Sequence, residues 1–293
     1  MAVALLVSGG QAEAAIKHQV TAREAGATTG FWTPEWMDRA LSRDPAFGFL
    51  PETDGTARPE TRHRPVTVFR PEVGKILGWH RYGPYSCTGS VIETRSLRLV
   101  LTAAHCLFYA GSWARRILFI PDFKNGSRPY GVYKTKALWI PYRWPRHSFG
   151  ITGTHFDIGL IVTRKRWNGS RIGENVGAIP IQTYPRRRGL TDIYGYPGGS
   201  MRGRVMRTCR SWTRPWSGSW FLPGPVGMIS RCNMAPGSSG GPWGSRYPRQ
   251  GGGTVGVVDG LTSTGGKIGR RSFLTSPYLG RVLVSLIRAT EGR

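Results

Sequence analysis

The chain has 293 residues, of which 41 are Lys or Arg and 16 are Asp or Glu, so its formal net charge is +25. This length suits one large domain or two small ones. The content of 39% hydrophobic and 19% charged residues excludes a chain that is disordered throughout. No run of about 18 apolar residues occurs, which argues against a membrane-spanning helix. The 41 Gly and 21 Pro favour a turn-rich, mostly β protein over a helical bundle.

The basic residues are mostly Arg and lie unevenly along the chain. Only seven of the 41 are Lys. Residues 1–65 carry seven basic and eight acidic side chains, whereas residues 66–293 carry 34 and eight. A near-neutral leader therefore precedes a basic body, which suggests two segments with different functions. The Arg excess has two explanations, codon bias in a GC-rich genome or a surface suited to phosphate and carboxylate groups.

The N-terminal residues have features of a shortened export signal. A short apolar run from Ala2 to Val7 precedes Ala-Glu-Ala at 12–14, a small-x-small pattern typical of a cleavage site. We therefore predict a truncated signal peptide over residues 1–15, against the alternative of an ordinary N-terminus. The polar stretch 16–65 is predicted to be a pro-region. Within it, Thr-Pro-Glu at the start of Thr33–Leu41 predicts the cap of a short helix.

Four cysteines fall into two local pairs, Cys87 with Cys106 and Cys209 with Cys232. Neither pair has the C-x-x-C spacing of a zinc ribbon or a thioredoxin-like motif. Three disulfide connectivities are open at this point, as is a set of free buried thiols. Local pairing would close two loops of about 20 residues, each worth roughly 3 kcal/mol in the chain-entropy treatment of disulfides.

From residue 66 onward, short apolar or alternating runs recur between turn signals, a pattern that suits a β-barrel or a sandwich. Examples of these runs are residues 66–69, 90–92, 97–102, 117–120, 130–132, 158–162, 193–196, 227–230 and 254–258. A helical stripe closes the chain, with apolar side chains at Leu279, Val282, Leu283, Leu286 and Ile287. We expect this helix to cover Ser276–Arg288, with Ser276 and Pro277 as its cap and first turn.

Three short segments contain residue types suited to nucleophilic catalysis. They are Thr-Ala-Ala-His-Cys around His105, Phe-Asp-Ile-Gly-Leu around Asp157 and Gly-Ser-Ser-Gly-Gly-Pro around Ser239. Each segment alone has an ordinary structural explanation, as a surface His, a turn Asp or a loop Ser. The combination is much more specific, because the three occur in the order His, Asp, Ser and a Cys directly follows His105.

The three segments resemble those of the chymotrypsin-type, trypsin-like serine proteases. The His105 segment resembles the family's histidine motif, residues 87–92 resemble the strand whose Cys bridges to it, and the Ser239 segment resembles the nucleophile motif. Cys-Asn-Met at 232–234 and Tyr-Gly-Tyr-Pro-Gly at 194–198 look most like the secreted bacterial branch.

The resemblance covers about residues 70–293 and implies an all-β fold of two packed six-stranded barrels with a C-terminal helix. We expect a protease domain over 66–293, with the first barrel at about 66–165 and the second at about 166–293. The two local Cys pairs are then predicted to be disulfides, Cys87–Cys106 and Cys209–Cys232, in a secreted protein.

The resemblance also implies roles for individual residues. Ser239 would attack the scissile carbonyl, His105 would act as general base, and Asp157 would orient the imidazole. The backbone N–H groups of Gly237 and Ser239 would form the oxyanion hole. The predicted function is a secreted, monomeric serine endopeptidase that hydrolyses peptide bonds through an acyl-enzyme, with no metal and no cofactor.

Several positions depart from the best-known members of that family. Ser238 is neutral where trypsin-like zymogens carry an Asp that pairs with a freed N-terminus, so a pro-region would act by occlusion or by assisting folding. Asn233 stands at the floor of the expected specificity pocket, and a neutral floor gives no reason for cleavage after Arg or Lys. Val258 and Asp259 lie near the expected pocket wall. The residue preferred at the scissile bond therefore stays open.

An Arg- and Trp-rich stretch suggests either a specificity loop on a basic protein or a surface that adsorbs to an anionic polymer. Its members are Arg210, Trp212, Arg214, Trp216 and Trp220. The second explanation supports an alternative function. The chain would then be a weak or inactive protease homologue that binds a polyanion or cell wall through its basic face, with no specific nucleic acid as partner.

Overall fold

The computed structural model describes residues 14–41, 43, 70–147, 153–199, 202–216, 227–234, 236–248, 254–268 and 271–292. Two antiparallel β-sheets of seven strands each form the body of the structure. The predicted all-β class and chymotrypsin-like arrangement are confirmed. Among the described residues, no helix is both long and apolar enough to cross a lipid bilayer.

The first sheet closes into a six-stranded barrel. Its strands follow one another in the spatial order β1-β8-β7-β2-β3-β4-β9, and β8 also pairs with β9, which closes the ring. The strand β1 is added outside the ring on the edge of β8. The strands before residue 165 are β1 (Ala15–Gln19), β2 (Val73–His80), β3 (Gly83–Val91), β4 (Leu99–Thr102), the short hairpin of β5 (Phe108–Tyr109) and β6 (Ser112–Trp113), β7 (Arg115–Pro121), β8 (Tyr133–Pro141) and β9 (Gly159–Thr163).

The second sheet curls into a half-barrel in the order β14-β13-β10-β11-β12-β16-β15. Its strands are β10 (Gly189–Gly195), β11 (Arg207–Trp216), β12 (Gly227–Ser230), β13 (Pro242–Pro248), β14 (Thr254–Leu261), β15 (Gly265–Ile268) and β16 (Arg271–Ser276). Within the described ranges β14 and β15 stay at opposite edges, so this sheet differs from the closed second barrel that we expected. The four-residue β15 pairs only with β16 there, and the second contact of β14 is an isolated parallel bridge between Val258 and Ile181.

The structure contains five α-helices in its described parts. They are α1 (Ala22–Phe31), α2 (Pro34–Leu41), α3 (Trp144–His147), α4 (Ile172–Val176) and α5 (Arg281–Glu291). The expected helix after Thr33 is α2, and the Thr33 Oγ1 accepts the Trp36 N–H at 3.3 Å. Helix α1 was not predicted, although Thr21 and Glu24 form a capping box at its start.

The terminal helix begins later than we expected. Ser276 and Pro277 do not cap it, because Ser276 is the last residue of β16 and Gly280 is the N-cap. The Ser276 Oγ accepts the Leu261 N–H at 2.9 Å and donates to the Pro277 carbonyl. This hydroxyl therefore joins two strands of the second sheet, and α5 starts only after the chain has turned back toward the first barrel.

Two packing features connect the ends of the chain to the first barrel. The apolar face of α5, with Leu283 and Leu286, packs into the main hydrophobic cluster of that barrel. The segment 15–41, which begins at the last residue of the predicted signal peptide and continues into the predicted pro-region, adds β1 to the edge of β8 and packs α2 onto β2 and β3. The predicted signal peptide up to residue 13, residues 44–69 of the pro-region and the expected strand at 66–69 lie outside the described residues.

Candidate active site

His105 and Asp157 meet at one end of the first barrel. His105 lies in a 3-10 turn directly after β4, and Asp157 lies between another such turn and β9, which pairs with β4. The His105 Nδ1 is 2.8 Å from the Asp157 Oδ2, and the His105 backbone N–H donates to the Asp157 Oδ1 at 2.9 Å. Both side chains are buried, at 0% and 1% exposure. A buried carboxylate in this position fixes the orientation of the imidazole ring.

The Asp157 carboxylate accepts a third hydrogen bond, which sequence reasoning missed. The Ser263 Oγ donates to the Asp157 Oδ2 at 2.6 Å, although the two residues are 106 positions apart. Ser263 lies just before β15 in the second sheet, whereas Asp157 belongs to the first barrel. The carboxylate therefore sits at the junction of the two sheets and receives donors from both.

Ser239 lies beside the residue that follows His105. Its carbonyl accepts the Thr88 N–H at 2.8 Å from strand β3, and the Cys106 Sγ lies 3.9 Å from the same oxygen. The Ser239 Oγ is fully buried and has no hydrogen-bond partner in the described part of the chain. The structure thus gathers His105, Asp157 and Ser239 around the contact between the two sheets.

Gly237 occupies a conformation that requires glycine. Its φ is +97°, and a Cβ at this position would lie 2.7 Å from the Tyr196 carbonyl. The Gly237 carbonyl accepts a hydrogen bond from the Thr88 Oγ1 at 2.8 Å, and the same hydroxyl accepts the Tyr196 N–H at 3.0 Å. Thr88 therefore fixes both the Gly237 turn and, through its backbone, the position of Ser239.

The two disulfides support this arrangement. Cys87 bonds to Cys106, which joins β3 to the turn that carries His105, and Cys209 bonds to Cys232, which joins β11 to the segment before Ser239. The sulfurs of Cys87 and Cys106 lie within 4.8 Å of a His105 nitrogen, a grouping that resembles a set of metal ligands. These sulfurs are bonded to each other and are not thiolates, so the grouping does not fit a metal ion.

The residues expected at the specificity pocket lie in different places. Asn233 is half-buried between Cys232 and Met234. Val258 points into the cluster of the first barrel, and its N–H donates to the Pro180 carbonyl at 2.9 Å. Asp259 is 5% exposed and is the extra residue of β14 at the point where its register with β13 shifts between Trp243 and Gly244. The side chain in this region that bonds to Asp157 is that of Ser263, four residues further along the chain than Asp259.

Ser238 makes a neutral contact, as its residue type suggests. Its Oγ lies 3.5 Å from the Met234 Sδ. A Cβ added to Gly195 would lie 2.8 Å from the Ser238 Cβ, so the two residues are in close contact. The side chain is 1% exposed and is enclosed by apolar and backbone atoms.

Comparisons with known proteins find similar folds among proteases. The protease Anisep from Arthrobacter nicotinovorans has a similar structure, with 27% sequence identity and a TM-score of 0.65 over 78% of this chain and 99% of that chain. The chain resembles the bacterial chymotrypsin-type serine proteases. A solved Glu endopeptidase shares the fold of these proteases with this chain, with 18% identity and a TM-score of 0.58 over 79% and 97% of the two chains.

One curated protease also matches by sequence. Glutamyl endopeptidase from Bacillus licheniformis is 32% identical over 122 residues, which are 40% of this chain and 34% of that protein. The match therefore spans about a third of the length of this relative. No protein-family model matches the chain.

Proposed function

We propose that the protein is a secreted serine endopeptidase that uses His105, Asp157 and Ser239 as a catalytic triad. The observation that carries the proposal is the buried Asp157 carboxylate, which holds the His105 ring at 2.8 Å in the turn packed against Ser239. Relatives that are serine proteases support the same conclusion. The two disulfides support export, since such bonds persist mainly in oxidising compartments.

The proposed chemistry follows from the positions of these groups. The His105 Nδ1 donates to Asp157, so its Nε2 is the nitrogen that accepts the proton of the Ser239 hydroxyl as the oxygen attacks the carbonyl carbon. Asp157 stabilises the imidazolium that results. The N–H groups of Gly237 and Ser239 stabilise the negative oxygen of the tetrahedral intermediate. His105 then returns the proton to the leaving amine, and water hydrolyses the acyl-enzyme by the same steps.

Covalent labelling tests this proposal directly. The purified full chain is treated with a small fluorophosphonate, and the adduct is located by mass spectrometry. We expect labelling at Ser239 alone, no labelling of Ser239→Ala, and retained labelling of Ser238→Ala, a matched change at the neighbouring buried serine. The absence of an adduct on the folded full chain would refute the proposed activity.

A second candidate function, binding of a polyanion, is favoured by a basic cavity of about 450 Å³ whose lining includes no triad residue. It lies between α1 and the ends of β8 and β9, and Trp167 beside it is 98% exposed. The four cations that line it form no ion pair with an acid in the described part of the chain. They are Lys134, Arg164, Lys165 and Arg166.

This cavity is a better candidate for anion binding than the Arg- and Trp-rich stretch. Arg210 in that stretch already pairs with Asp192 at 2.7 Å, and Trp220 lies outside the described residues. Trp212 is nevertheless 69% exposed. Heparin affinity that falls steeply with salt, persists in Ser239→Ala and is lost in Lys165→Ala with Arg166→Ala would support this second function. If the protein does not bind heparin, or binds it with an affinity that does not depend on salt, this second function is contradicted.

A further inference from the structure

The N-terminal segment occupies the strand edge next to Ser239. Strand β3 pairs with β2 along one side. On its other side, the Thr88 N–H donates to the Ser239 carbonyl at 2.8 Å, and the Ser86 N–H donates to the Arg43 carbonyl at 2.9 Å. Ser86 and Thr88 are two residues apart, so these acceptors are separated by about 7 Å along the strand. Arg43 thus bonds to β3 two residues before the position on that strand that bonds to the proposed nucleophile.

Helix α2 holds Arg43 in this position. Four apolar side chains of the segment are at most 5% exposed and share a cluster with residues of the barrel; they are Trp32, Met37, Ala40 and Leu41. The Trp32 Nε1 also donates to the Arg116 carbonyl at 2.7 Å. Burial of this kind stabilises the docked segment, because undocking would expose both these side chains and the barrel residues beneath them.

The docked segment also contacts the residues that support Gly237. A Cβ on Gly203 would lie 2.7 Å from the Leu41 carbonyl and 2.8 Å from the Lys75 Nζ. This ammonium donates to the Gly203 carbonyl at 2.8 Å and lies 5.2 Å from the centre of the Tyr196 ring. The Tyr196 carbonyl is in turn the atom that excludes a Cβ at Gly237. The end of α2 and the proposed oxyanion turn are therefore parts of one packed unit.

We propose that α2 with Arg43 is an autoinhibitory element that blocks extended substrates, an inference that rests on the proposed peptidase function. A peptide that crosses Ser239 in an extended conformation would pair its backbone with β3 on the side away from β2, before the point where β4 joins at Ser90. The Ser86 N–H is the next donor on that edge, and the Arg43 carbonyl already holds it. Long peptides must displace this contact, whereas a small ester that reaches Ser239 without touching Ser86 need not.

The test compares two substrates in variants of the full chain. Leu41→Asp places an unpaired charge in the apolar cluster, and Gly203→Ala presses on the Leu41 carbonyl. Glu35→Ala, at an exposed position of α2, is the matched control. The readouts are kcat/KM for a small nitrophenyl ester and for a peptide extending four residues to each side of the scissile bond. We expect the peptide-to-ester ratio to rise about tenfold in the first two variants, equivalent to about 1.4 kcal/mol, and to stay constant in the control.

The outcomes separate the two levels of the proposal. Ester hydrolysis with an unchanged or lower peptide-to-ester ratio in both variants would refute the autoinhibitory role and leave α2 as a structural element. No ester hydrolysis in the unaltered chain would refute the peptidase function itself. If both variants fail to fold, hydrogen exchange of the α2 amides in Ser239→Ala decides the question. The hydrogen-exchange rate of the α2 amides must rise when the long peptide binds. An unchanged rate at a saturating concentration of the peptide would show that α2 is not displaced and would refute the autoinhibitory role.

Discussion

Removal of the Ser263 hydroxyl tests whether the third hydrogen bond of Asp157 contributes to catalysis. The carboxylate accepts hydrogen bonds from the His105 ring, the His105 backbone and the Ser263 Oγ at 2.8, 2.9 and 2.6 Å. A hydrogen bond to a charged group is worth about 1.5–3 kcal/mol. If this contribution is needed to hold Asp157 while the imidazolium forms, Ser263→Ala lowers kcat/KM by about 10- to 100-fold.

The assay must separate orientation of the triad from general loss of stability. We would measure kcat, KM and the rate of fluorophosphonate labelling, together with Tm, for Ser263→Ala and for the control Ser245→Ala. Ser245 also lies in the second sheet, where its Oγ donates to the Leu190 carbonyl at 3.4 Å. We expect the loss to fall on kcat with little change in KM. A kcat within twofold of the parent would refute the argument that Ser263 positions Asp157.

Three further predictions follow from other described contacts. Replacement of Cys209 and Cys232 by Ser removes a bridge between residues 23 positions apart and lowers the free energy of unfolding by about 3 kcal/mol; an unchanged urea midpoint would contradict this. Burial raises the pKa of Asp122, whose φ is +46°, so the parent loses stability as pH rises through that pKa. Asp122→Asn should therefore have a higher Tm than the parent at pH 7, and this difference in Tm should become smaller toward pH 4. A difference in Tm that does not change with pH would contradict this reasoning. Because His105 must be neutral to accept a proton, kcat/KM should fall about tenfold per pH unit on the acid limb, and a flat profile down to pH 4 would exclude His105 as the base.

The residues of the proposed triad could be found from the sequence because each lies in a short segment with a recognisable composition. The His105 turn follows a buried strand and precedes a cysteine, and the Ser239 turn contains the glycines that its backbone needs. Helix α2 was predictable for a similar reason, since Thr33 and Pro34 form its start within the chain itself. Signals of this kind depend on residues that are adjacent in sequence.

Contacts between distant segments gave no comparable signal. Ser263 lies among small polar residues, and only the packing of the two sheets brings it to Asp157. Helix α1 contains Gly and Thr, so it lacks an apolar stripe, and only the Thr21–Glu24 capping box marked its start.

The role of the N-terminal segment could not be predicted from its composition either, because the residues that it contacts are distant in sequence. Its neutral charge and polar character suggested a region distinct from the basic body, yet Trp32 and Leu41 are buried in the cluster that also contains Leu118. The amphipathic character of α2 identifies a buried face but not the surface that covers it. The docking surface becomes known only when β2 and β3 are placed side by side.

The proposed site depends on the contact between the two sheets more than on either sheet alone. Thr88 of the first barrel bonds to the backbone of Ser239, and Ser263 of the second sheet bonds to Asp157. A shift of the sheets by 1 Å would lengthen the Thr88 and Ser263 bonds together while the strands within each sheet stayed paired. Changes that remove only these polar bonds should therefore lower kcat before they lower Tm, because loss of a hydroxyl leaves the buried apolar side chains of the core clusters in place.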